Sequence, residues 1–150
     1  MDFNLSIPVK VISSENCVLK NASLLSSFGK QCLIVTGKTA AKKSGALSDV
    51  VTALEQYSVG YDVFDRITPN PYIEDCHEAG VLAREKKADF IIGIGGGSAL
   101  DAAKAVAVFA ANESFLPFDI YEKKERNNAL PLVLIGTTAG TGSEVGAVAV

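Results

Sequence analysis

The chain has 150 residues, 48% of them hydrophobic and 21% charged, with a net charge of −3. That length suits one domain burying roughly 70% of its unfolded surface, and the mild negative charge excludes the basic footprint of a nucleic-acid or anionic-membrane binder. No apolar run approaches the ~20 residues of a membrane span. Residues 1–10 lack the basic start and long apolar core of a signal peptide. Cys17, Cys32 and Cys76 form neither C-x-x-C nor zinc spacing, so free thiols in a reducing, cytoplasmic setting are expected.

In chain order, residues 7–12 read as a strand that Pro8 demotes toward an edge. Residues 21–28 read as a short helix, with Asn21 as N-cap and Gly29 as stop. Cys32, Leu33, Ile34 and Val35 form a continuous apolar run, the pattern of a central strand covered on both faces. A polar, basic loop follows over 37–45, including Gly37, Lys38, Lys42 and Lys43. The spacing of Leu47, Val50, Val51 and Leu54 predicts a helix, and residues 61–64 a strand. Thr68-Pro69-Asn70-Pro71 is a rigid turn, because each proline fixes its own φ and restricts the residue before it. Residues 73–87 read as a helix whose early Glu74 and Asp75 and late Lys86 and Lys87 complement its dipole.

The stretch over 90–104 carries the strongest signal. Phe90 to Ile94 has the composition of a buried parallel strand and runs into Gly95, Gly96 and Gly97. Ala99, Ala102, Ala103, Val106, Ala107 and Ala110 then recur at helical spacing. Strand, glycine turn, helix is a layout that aims backbone N–H groups and a helix N-terminus at an anion. Ser98 is expected to cap that helix and to offer its hydroxyl to a phosphate. In this stretch G-x-G-x-x-G is not satisfied and no Gly-Lys-Ser/Thr closes the loop, so a plain strand-to-helix turn stays open as the alternative. Residues 121–128 are polar and read as solvated surface. Leu132, Val133, Leu134 and Ile135 form the next buried strand, ahead of a hydroxyl-rich loop over 137–144, and residues 146–150 read as a further strand.

Strands alternating with helices predict an α/β fold, a Rossmann-like doubly wound parallel sheet. Ligands of such sheets sit beyond the carboxyl ends of the strands. The four loops at those ends are rich in glycine, hydroxyl, amide and lysine groups, which suits a dinucleotide better than an apolar ligand.

Gly95-Gly96-Gly97-Ser98-Ala99-Leu100-Asp101 and Thr137-Thr138-Ala139-Gly140-Thr141-Gly142-Ser143-Glu144-Val145 resemble the paired motifs of the iron-dependent (group III) alcohol dehydrogenases, and 68–71 resembles that family's proline-asparagine turn. The resemblance implies that residues 1–150 are a dinucleotide-binding domain of the fold shared with dehydroquinate synthase. It implies a pyrophosphate held by Gly95, Gly96, Gly97 and Ser98, with Asp101 near the nicotinamide. Thr137, Thr138, Thr141 and Ser143 would line the cofactor from the other side, and Asn70 would approach the adenosine half. The complete enzyme would transfer hydride between NADP(H) and a small alcohol or aldehyde. Fe(II) or another divalent metal would sit in a following helical domain that this chain does not contain, so no catalytic or metal-ligating residue is expected here, and His77 reads as structural. The 150 residues alone are expected to bind cofactor without turnover.

Two departures from the family pattern matter. The loop after the first central strand often carries an aspartate in that family, whereas Gly37 and Lys38 stand here, with Lys42 and Lys43 close behind. A glycine leaves room for a 2′-phosphate and lysines attract it, so NADP(H) is expected to be favoured over NAD(H). Gly146 stands where threonine is common. An NAD- and zinc-dependent relative of the glycerol dehydrogenase or dehydroquinate synthase kind, and a stand-alone nucleotide-binding module, are the competing readings. The strand over 7–12 is the candidate surface for a homodimer.

Overall fold

Cys32, Leu33, Ile34, Val35 and Thr36 are buried without remainder. A run like that is stable only as a central strand, since both faces need apolar cover and every amide needs a ladder partner. The structure is a computed structural model and describes residues 9–122 and 128–146. Its elements are α1 (Cys17–Lys20), α2 (Ala22–Ser26), β1 (Gln31–Gly37), α3 (Ala40–Lys43), α4 (Ala46–Gln56), β2 (Gly60–Ile67), α5 (Ile73–Glu85), β3 (Phe90–Gly95), α6 (Gly97–Ala111), α7 (Asp119–Glu122) and β4 (Leu132–Gly136).

The four strands form one parallel sheet in the order β2-β1-β3-β4. Alternation along each strand divides the core in two. Leu33, Val35 and Ile91 point to the face covered by α5 and α6, with Ala79, Ala103, Val106 and Phe109. Cys32, Ile34, Phe90, Ile92 and Ile94 point to the face covered by α2 and α4, with Leu25, Val50, Ala53 and Leu54. Each fully buried Leu, Ile or Phe stabilises the fold by about 1.5–3 kcal/mol relative to exposure. A Cβ on Gly93 would stand 2.6 Å from the Cβ of Ala103, so small residues on both sides let α6 lie close upon β3.

With β1 and β3 as neighbours, the chain winds one way from β1 to β2 and the other way from β3 to β4. The carboxyl ends of β1 and β3 therefore flank the crevice at which the strand order reverses. The expected α/β doubly wound sheet is the observed one.

Local departures have local causes. Residues 9–12 are exposed and irregular rather than a strand, and among the described residues no strand lies alongside them; residues 7 and 8 fall outside the described residues. Asn21 stands at the N-cap position of α2 as expected but makes no capping side-chain bond: its side-chain amide donates to Cys17 O at 2.8 Å, closing α1 instead. The basic loop after β1 contains a helical turn, α3. Asp119–Glu122 is a short helix that opens the polar stretch around Tyr121. Of the strand expected over 146–150, Gly146 is irregular and residues 147–150 fall outside the described residues.

Candidate functional site

At the carboxyl ends of β1, β2 and β3 the chain leaves a cleft of about 330 Å³, lined by residues 37–40, 67–69 and 95–99. Its floor is the glycine turn. Gly95 has a φ of 149°, which glycine adopts without the steric penalty of a side chain. Gly96 is the N-cap of α6, and no side chain caps the helix. The first backbone N–H groups of an α-helix have no intrahelical acceptor, so the 15-residue α6 presents open donors and its positive dipole end to the cleft. Ser98 is not the expected N-cap. The extended backbone at Gly96 lets the helix start two residues earlier, and Ser98 falls in the first turn.

The loop after β4 closes the other side. Thr137 N donates to Gly95 O at 2.9 Å, which ties the two loops together. A Cβ on Gly97 would meet Thr141 Cγ2 at 3.1 Å and Ser143 Oγ at 3.3 Å, and one on Gly96 would meet Thr138 Oγ1 at 3.4 Å. The threonine loop thus lies against the bare side of the glycine turn, and side chains there would fill the space between them. Thr137 Oγ1 is buried with no hydrogen-bond partner among the described residues, and so is Thr68 Oγ1, just past the end of β2. Buried hydroxyls are paired as a rule, so two orphans at one end of one sheet point to a polar ligand.

Of the residues singled out in the sequence, Gly37, Lys38, Gly95, Gly96, Gly97 and Ser98 line the cleft itself. Thr137, Thr138, Thr141 and Ser143 border the glycine turn. Three stand apart. Lys42 is exposed and its ammonium holds Asp65 at 2.8 Å; that bond keeps the Asp65 carboxyl below the usual carboxylate range. Asn70 is exposed beyond the cleft wall, with a φ of 52°. Asp101, one turn into α6, accepts from Lys104 Nζ at 2.9 Å, both side chains largely buried. His77 is structural: its Nε2 lies 2.9 Å from Phe115 O and its ring packs edge-on against Phe109. Among the described residues no group of three or more His, Cys, Asp or Glu side chains stands together as a metal site, so nothing in the described part of the chain fits iron. Among them, too, no helix is long and apolar enough to cross a membrane. Thr68 is the site residue that sequence reasoning missed. The loop over 68–71 was counted among the ligand-facing loops, but within it the family resemblance singled out Asn70 and passed over the hydroxyl one residue past the strand.

Residues 8–150 match the sequence model of the iron-containing alcohol dehydrogenases. The chain belongs to the iron-containing alcohol dehydrogenase family. Among the relatives of this family it is 40% identical to the long-chain primary alcohol dehydrogenase AdhA of Thermoanaerobacter ethanolicus, over 85% of this chain and 31% of that protein. It is 36% identical to the NADPH-dependent aldehyde reductase YqhD of Escherichia coli, over 99% of this chain and 38% of that protein. An iron-containing alcohol dehydrogenase of Thermotoga maritima superposes with a TM-score of 0.89 at 37% identity, over 96% of this chain and 40% of that chain. The chain therefore spans less than half the length of these family members.

Proposed function

We propose that this chain is the cofactor-holding part of an alcohol dehydrogenase that exchanges hydride between NADP(H) and a small alcohol or aldehyde. The observation that carries the reading is the pairing of open α6 amides above a glycine turn with the hydroxyl loop laid against it, Thr137 Oγ1 buried and without a partner among the described residues. A pyrophosphate over 95–98 would take the amide donors and the Ser98 hydroxyl. Hydroxyls of Thr137, Thr138, Thr141 and Ser143 donate to phosphate or accept from ribose. The nicotinamide, when bound, supplies the hydride chemistry, and this chain's part is to hold and orient it, with Asp101 on that side and Asn70 toward the adenosine. No role in metal binding is assigned to any residue described here.

The cofactor preference rests on Gly37 and Lys38. Family membership does not choose, since one relative is named for NADPH and another, the butanol dehydrogenase B of Clostridium acetobutylicum, for NADH. A carboxylate after β1 would accept from ribose hydroxyls and repel a 2′-phosphate; Gly37 offers none, and Lys38 lines the cleft beside it. Lys42 contributes only its charge at a distance, because Asp65 engages it.

Titration of the purified chain by nucleotide fluorescence tests this. NADPH is expected to bind about tenfold or more tightly than NADH, the value of a charge-assisted phosphate contact, with no alcohol oxidation by these residues alone when iron is added. Tighter NADH binding would reject the preference, and binding of neither nucleotide would reject the reading. Gly96→Asp is the matching control. The Gly96 backbone, φ −83° and ψ −174°, accepts a side chain, and its Cβ meets Thr138 only at contact distance. The variant should keep its circular dichroism and lose NADPH affinity at least about tenfold, because a carboxylate then stands where the diphosphate belongs.

A further inference from the structure

Of the two orphaned hydroxyls at the mouth of the sheet, Thr137 Oγ1 belongs to the loop already assigned, and Thr68 Oγ1 has no role so far. A hydroxyl shut away from solvent without a partner costs stability unless something pairs with it. Its place in the fold narrows what that is. Gly37 faces Ile67 in the β1–β2 register, so Thr68 follows β2 as Lys38 follows β1, and both line the cleft. Lys38 is the charged residue among those lining it and makes no ion pair among the described residues. The acidic group of this corner, Asp65, is engaged by Lys42 and does not oppose an anion there. The glycine turn lies across β1 at the end of β3, so a ligand with its diphosphate on that turn carries a second polar group toward β1 and β2.

We propose that Thr68 is a specificity-determining residue: its hydroxyl donates a hydrogen bond to the 2′-phosphate of the adenosine ribose, beside the Lys38 ammonium. This rests on the dinucleotide reading above.

Thr68→Val and Thr68→Ser separate the hydroxyl from the methyl. Purified wild type and both variants are titrated with NADPH and NADH, and their unliganded melting temperatures are recorded. Thr68→Val should weaken NADPH about tenfold and NADH by less, while melting at or above the wild-type temperature, since an unpaired buried hydroxyl is gone. Thr68→Ser should bind NADPH nearly as wild type does. Unchanged NADPH affinity in Thr68→Val overturns the inference and leaves the dinucleotide reading standing. So does an equal loss for both nucleotides, an equal loss in Thr68→Ser, or a lower melting point for Thr68→Val, which would reveal a partner inside the protein. Failure of wild type to bind either nucleotide removes the reading and the inference together.

Discussion

At the scale of single residues, the buried thiols show how the interior sets chemistry. Burial pushes the Cys32 thiol up to about 12, with the Asp62 carboxylate adding to it. Burial, followed by Asp75, pushes Cys76 up to about 11 against a smaller opposing backbone hydrogen bond. The thiolate is the reactive form, so both should be inert to a disulfide reagent near neutral pH, while the half-exposed Cys17 reacts. The check is the count of thiols modified before and after guanidinium unfolding, and modification of all three in the folded chain would contradict it. The same shifts bear on stability. In the unfolded chain these thiols ionise near the ordinary 9.0, and in the folded chain Cys76 stays neutral to about 11 and Cys32 to about 12. Their contribution is whole below pH 9 and is lost as pH rises through that window, so the denaturant midpoint should fall there. Free cysteines were legible in the spacing of the sequence. The Lys42–Asp65 pair was not, because its partners lie 23 residues apart and meet only at the carboxyl ends of adjacent strands.

At the scale of elements, the α5–α6 contact is tight enough to forbid a side chain. A Cβ on Gly80 would stand 2.4 Å from Phe109 Cβ and 3.2 Å from Ala110 N. These are the root of a side chain and a backbone atom, which cannot swing aside. Gly80→Ala gains up to about 1 kcal/mol in helix propensity, but overpacking costs about 1–3 kcal/mol. The net effect should be a lower melting temperature, measured by calorimetry, whereas a rise would mean that the helices separate freely. The strands β1, β3 and β4 and the helices α4, α5 and α6 were readable because apolar periodicity is local. Residues 9–12 misread for the opposite reason: strand propensity says nothing about whether a neighbouring strand exists. The start of α6 shifted by two residues because Gly96 takes the cap position with its backbone alone.

At the scale of the whole molecule, the site exists only because two crossovers, β1 to β2 and β2 to β3, bring residues 37–40, 67–69 and 95–99 to one end of the sheet. Alternating elements announce a parallel sheet, yet the order β2-β1-β3-β4 leaves no local mark, so the sequence named the loops without saying which would touch. That convergence has an energetic consequence. A dinucleotide lying across the ends of β1 and β3 contacts segments on both sides of the point where the winding reverses, and it binds the folded chain only. At a concentration about 100 times its Kd, such a ligand stabilises the fold by about 2.7 kcal/mol. For a domain of 150 residues each kcal/mol moves the melting temperature by about 2–4 °C. Saturating NADPH should therefore raise the melting temperature by about 5–11 °C. NADH at the same concentration should raise it less, in proportion to the logarithm of its weaker affinity. A transition that stays put under both nucleotides would mean that the cleft is a packing feature of the sheet rather than a binding site.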